Sequence, residues 1–108
     1  MTKVTLYWED GTFRGVESRG HSGFADKGKD IVCAAVSALL HALLLGLSDV
    51  AEVEGVECEV NPKVPLIRIL WPRDSAGRLE LLTRTIALSL KEIEKASPEY
   101  VHITEVQL

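Results

Sequence analysis

Gly20-His21-Ser22-Gly23-Phe24-Ala25-Asp26-Lys27-Gly28-Lys29-Asp30-Ile31-Val32-Cys33-Ala34-Ala35-Val36-Ser37 is the stretch where the chain changes character. Its first half is small, polar and glycine-rich, which predicts a loop from Ser22 to Lys29. Its second half is apolar and strongly helix-forming. Asp30 stands where an N-cap belongs, because its carboxylate can accept from the unpaired N–H groups of a first turn. The predicted helix runs to about Ser48, with Leu39, Leu40, Leu43, Leu44 and Leu47 giving it a wide apolar surface. Cys33, Ser37, His41 and Ser48 share a narrow polar stripe on it. Ala34, Ala35 and Ala38 flank that stripe and leave room for another backbone. Ser37, His41 and Gly46 interrupt the apolar run, which falls short of the ~20 residues of a membrane span, so a buried helix is expected.

Upstream, Lys3 to Trp8 alternates polar and apolar, with Val4, Leu6 and Trp8 on one side: a half-buried strand. Asp10-Gly11 follows, a hairpin signal because both turn positions must tolerate positive φ. Phe13 to Arg19 is the returning strand, with a bulge expected at Gly15, and it delivers Gly20 and His21 at its end. Downstream, Glu52 to Val60 reads as a strand with Val56, Cys58 and Val60 inward. Asn61-Pro62-Lys63 is a turn. Leu66 to Trp71 is a nearly continuous apolar strand broken only by Arg68, and Pro72 ends it. Asp74 or Ser75 should cap a second helix reaching about Ala96, whose buried face is Leu79, Leu82, Ile86, Leu90 and Ile93. Ser97-Pro98 stops it, and Tyr100 to Val106 forms a last strand. The order is ββαββαβ. The economical packing is an α+β, two-layer sandwich with both helices on one face of a mixed or largely antiparallel sheet.

The 108 residues suffice for one domain with a real core. Twelve basic against sixteen acidic residues leave a net charge of -4. That excludes the broad basic face of a nucleic-acid binder and suits a basic peptide substrate. The two cysteines, Cys33 and Cys58, are too few for a disulfide-stapled secreted domain and read as free thiols in a reducing cytoplasm. The N-terminus starts directly with strand-like sequence and has no apolar signal segment. No membrane association is expected.

Cys33 is the first candidate for chemistry. At the third position of the predicted helix, unpaired N–H groups and the positive end of the dipole would favour a thiolate. Position alone equally allows a small core residue in an alanine-rich turn. His21, at a strand end beside a glycine, can serve as the partner that a nucleophilic cysteine needs, or be a surface histidine. His41 lies two helical turns from Cys33, roughly 12 Å along the axis, and is expected to be structural. His102 should face solvent. Asp30 either caps the helix or orients His21 as the third member of a triad. Ser37 can approach the sulfur or bond back to the carbonyl of Cys33. Cys58 reads as core. No close-spaced set of ligands suggests a metal, no phosphate-binding loop is present, and no cofactor is implied.

Taken together, Gly20-His21, a short glycine-containing loop, and Gly28-Lys29-Asp30-Ile31-Val32-Cys33-Ala34-Ala35-Val36-Ser37 resemble the signature of the ribosomal-processing cysteine proteases called Prp. The resemblance extends to chain length and element order. It implies a single protease domain over 1–108, with Cys33 as nucleophile, His21 as its histidine and Gly20, Asp30 and Ser37 as supporting residues. It also implies a homodimer, and as substrate an N-terminally extended large-subunit ribosomal protein twenty-seven. In that reading Cys33 attacks the scissile carbonyl, His21 protonates the leaving amine, and N–H groups at the helix start hold the oxyanion. Ser22, Gly23, Phe24 and Gly28 would form a substrate loop that orders when peptide binds. A non-catalytic ribosome-associated peptide-binding module is the rival reading, and a redox-sensing thiol a third.

Overall fold

The computed structural model describes residues 1–20, 27–61, 63 and 66–108, with backbone alone for 27–30. Strand β1 (Thr2–Glu9) turns through Asp10-Gly11 into β2 (Thr12–Arg19). Both turn residues have positive φ, 48° and 81°, as the tight hairpin requires. Helix α1 (Lys27–Leu45) continues into a wider π turn, Gly46–Val50. Then come β3 (Glu57–Asn61), β4 (Leu66–Leu70), a 3₁₀ turn at Arg73–Ser75, helix α2 (Glu80–Ala96) and β5 (Val101–Gln107). The ββαββαβ order is as expected. The sheet order is β3-β4-β2-β1-β5, with β1 and β5 parallel and the other pairs antiparallel, so the sheet is mixed.

The period of two along each strand decides which residues meet the helices. Val4 and Leu6 of β1, Val16 of β2 and Ile69 of β4 are buried together with Val32, Val36, Leu40, Leu43 and Leu47 from α1 and its π turn and with Ile86 and Leu90 of α2. Each fully buried leucine contributes about 1.5–3 kcal/mol. Trp71 closes one end: its ring meets Phe13 edge-on at 5.0 Å, and its Nε1–H donates to the Phe13 carbonyl at 2.8 Å. The irregularity in β2 falls beside Gly15, as expected. Gly15 pairs with Tyr7 and Phe13 with Trp8, leaving Arg14 as the extra residue.

Five expectations need correction. Helix α1 starts at Lys27, so Asp30 lies within its first turn rather than ahead of it, and Gly28 belongs to the helix rather than to a loop. One face of α1 is buried, but Ile31 and Leu45, and Val50 of the π turn, stay exposed, so the helix is not enclosed. By length and composition alone, the helical run Ile31–Val50 could cross a membrane. Strand β3 begins at Glu57, not Glu52, because Glu52 and Gly55 adopt positive φ and turn the chain. Helix α2 starts at Glu80. Asp74 and Ser75 lie in the preceding 3₁₀ turn, where the Ser75 hydroxyl donates to the Pro72 carbonyl. Cys58 is exposed, not core. It does share the helix-side face, opposite Ile69. But β3 is the edge strand, every residue of it is exposed, and neither helix reaches far enough to cover it.

Candidate active site

Cys33 is the seventh residue of α1, half-buried, with its sulfur turned toward the sheet. Its Sγ lies 3.0 Å from the hydroxyl oxygen of Thr2, the first residue of β1. Thr2 is 3% exposed, and its backbone N–H donates to the Tyr100 carbonyl at 2.8 Å. Gly20 follows the end of β2. The antiparallel register, Lys3 opposite Arg19 and Val4 opposite Ser18, brings Gly20 alongside Thr2 when extended by one pair. The contact is close: a Cβ at Gly20 would stand 2.9 Å from the Thr2 Cα and 3.1 Å from its hydroxyl oxygen. Only glycine lets the strands approach this far, so Gly20, Thr2 and Cys33 form one contiguous group.

The sequence reading missed Thr2. The signal for it was present: along Thr2, Val4, Leu6 and Trp8, the inward face of β1, Thr2 is the one polar side chain. A buried hydroxyl on an apolar face needs a partner, and here the partner is the thiol.

His21, Ser22, Gly23 and Phe24 lie outside the described residues, as does the expectation that this loop orders on binding peptide. Gly28 and Asp30 lie in the first helical turn, described in backbone only. The Ser37 hydroxyl lies 3.4 Å from the His41 Nδ1. His41 is exposed and structural, its Nδ1–H donating to the Ser37 carbonyl at 2.8 Å. His102 faces solvent, 3.8 Å from the Glu94 carboxylate. The early helix start also removes the expected oxyanion donors from Cys33. The unpaired N–H groups belong to the first turn, and Lys27 is roughly 9 Å back along the axis from Cys33.

On the opposite face of the sheet, Glu17 is 7% exposed yet ionisable. Arg68, its cross-strand neighbour, donates to the Glu17 carboxylate through Nε at 2.8 Å and lies 2.6 Å away through its second nitrogen. The Tyr7 hydroxyl donates to the same oxygen at 3.3 Å. Burial, and then the negative charge of Glu17, push the Tyr7 phenol above its usual range. The hydrogen bond to Glu17 raises Arg68. This network fixes the register of β2 against β4. At the hairpin end of the sheet, an open cleft of about 430 Å³ is lined by Trp8, Phe13, Arg73 and Glu80 among others. It is about 20 Å from Thr2 along β1 and has no part in the Cys33 group. Among the described residues no cluster suited to a metal ion occurs.

The sequence model of the family described as Cysteine protease Prp matches residues 1–102. The ribosomal processing cysteine protease Prp of Mycoplasma genitalium is 32% identical over 88 residues, which cover 82% of this chain and 84% of that protein. Among solved structures, SMU.848 from Streptococcus mutans superposes with a TM-score of 0.88 at 28% identity, covering 100% of this chain and 96% of the other. The Staphylococcus aureus ribosomal processing protease Prp, in complex with a substrate peptide, shares the fold with a TM-score of 0.85 at 21% identity, covering 98% and 100%.

Proposed function

Because the chain belongs to the cysteine protease Prp family, we propose that it removes the N-terminal extension of large-subunit ribosomal protein twenty-seven, with Cys33 as nucleophile and His21 as its partner. The observation that carries this reading is the Gly20–Thr2–Cys33 contact. It ends strand β2, one residue before His21, against the side chain that touches the Cys33 sulfur. Gly20, the first residue of one motif half, thus shares a neighbour, Thr2, with Cys33 of the other.

The Cys33 thiolate attacks the scissile carbonyl carbon, forming the C–S bond of a tetrahedral intermediate. His21, protonated, gives its proton to the departing amine as the C–N bond breaks. Water, deprotonated by the now neutral His21, then hydrolyses the thioester and restores the dyad. Ser22, Gly23 and Phe24 are assigned to substrate contact, and Gly20, Asp30 and Ser37 to support. The excess of acidic residues favours encounter with a basic ribosomal substrate. Ribosomal processing and two cysteines not bonded to each other fit a cytoplasmic enzyme. The homodimer implied by the family is consistent with the exposed Ile31, Leu45 and Val50 along α1 and its π turn, and sedimentation velocity reads it directly. Membership of a protease family favours this reading over a non-catalytic peptide-binding module.

Incubation with the extended ribosomal protein, read by mass spectrometry, is the test. The intact chain should release the extension. Cys33→Ser, nearly isosteric, should melt at the parental temperature and release none. Undiminished cleavage by the pure variant overturns the assignment of the nucleophile.

A further inference from the structure

We propose that Thr2 is a positioning residue of this protease: its hydroxyl donates to the Cys33 sulfur and holds the nucleophile in register with the end of β2. The inference rests on the reading of Cys33 as nucleophile. Three observations carry it. The Thr2 Oγ1 and Cys33 Sγ are 3.0 Å apart, well inside hydrogen-bond range for sulfur. Thr2 is 3% exposed, so bulk water does not compete for its hydroxyl. Its backbone is clamped on both flanks, by its N–H to the Tyr100 carbonyl and by the close approach of Gly20.

The direction of the hydrogen bond follows from the chemistry. A neutral thiol can donate or accept, but the reactive thiolate can only accept. In the state that attacks substrate, the proton is therefore on the threonine, and the bond is charge-assisted and stronger than its neutral form. Because β1 is an interior strand, paired to β2 on one side and β5 on the other, the hydroxyl cannot follow the sulfur if α1 shifts. Thr2 thus ties the helix that carries the nucleophile to the strand pair from which the chain leaves toward His21. A valine at this site would fill the same volume and pack equally well against the core. The hydroxyl answers to the sulfur, not to packing.

The test uses the full chain with Thr2→Val, Thr2→Ser and Cys33→Ser. It measures cleavage of the extended ribosomal protein and the rate of Cys33 alkylation by iodoacetamide at one neutral pH. Thr2→Val keeps the shape and removes the donor. Its kcat should fall about tenfold, the net worth of one such bond, with KM unchanged. Its alkylation should slow to a similar degree, and its melting temperature should not fall. Thr2→Ser keeps the donor and loses a methyl, so it should stay within about twofold of the parent in both rates. Parental rates in Thr2→Val overturn the proposal, as does a Thr2→Ser variant impaired as much as Thr2→Val, since that pattern marks packing alone. Cleavage by Cys33→Ser overturns the nucleophile reading by itself. The alkylation arm needs no turnover and decides separately whether Thr2 governs the thiol.

Discussion

A single hydroxyl or ring nitrogen can separate a working side chain from a structural one. His41 and His21 are both histidines of the motif region, and the surroundings of His41 are those of a structural one. His41 spends its Nδ1–H on the carbonyl of Ser37, one turn back on its own helix, and its ring is exposed. It stands two helical turns beyond Cys33, on the order of 12 Å along the axis. His21→Ala should therefore lower the cleavage rate by about 10² or more, the usual contribution of a positioned acid–base group. His41→Ala should leave the rate within about twofold, since an exposed surface substitution seldom does more. Steady-state rates on the ribosomal substrate decide it, and the reverse order would mean that the wrong histidine was chosen. Ser37 goes with His41 at this scale: its hydroxyl lies 3.4 Å from the Nδ1 of that ring.

Between elements, the stability of the sheet is distributed unevenly over its two faces. The helix side is apolar. The other side is held at its centre by Glu17, Arg68 and Tyr7, which join β1, β2 and β4. Removing one charge of such a pair strands the other, which is why Glu17 is tolerated at 7% exposure only with Arg68 present. The phenol of Tyr7 is raised by burial and by Glu17. The folded state thus holds its proton above the pH at which the unfolded chain releases it. Between those two values the unfolded state binds fewer protons, and unfolding becomes easier as pH rises. Stability should therefore fall as pH climbs through and above about 10, the ordinary tyrosine value. Tyr7→Phe should flatten that fall while leaving the neutral-pH midpoint little changed. Urea titrations across the alkaline range check it, and an identical decline in the variant would remove Tyr7 as its source.

Over the whole molecule, a single apolar layer lies between one sheet face and two helices, and α1 is its main contributor. Leu40, Leu43 and Leu47 are wholly buried. Leu43→Ala should cost about 2–5 kcal/mol, since the neighbouring helix and strands cannot collapse into the space. Denaturant unfolding measures it, and a loss below about 1 kcal/mol would mean that the site relaxes far more than a close-packed core allows. The same layer explains the exposed edge. Two helices cover the middle of a five-stranded sheet and stop short of β3, whose residues all remain exposed.

Element order, the Asp10-Gly11 hairpin, the buried faces of both helices and the pairing of Gly20-His21 with Asp30-Ile31-Val32-Cys33 in one signature were all legible in the amino-acid sequence. Each is a local pattern: a period of two or 3.6, a turn that demands positive φ, a motif read along the chain. Tertiary structure alone decided three other matters. Cys58 has the alternation of a core residue, but alternation says which face a side chain takes and not whether another layer covers it. The start of α1 at Lys27 overrode the capping signal at Asp30, because capping preference is worth only about 1 kcal/mol and neighbouring structure outweighs it. The meeting of Thr2 with Cys33 joins residues 31 positions apart, and no local period reaches that far. It exists because β1 pairs with β2, because Gly20 lets the two close up, and because α1 crosses the sheet at that point.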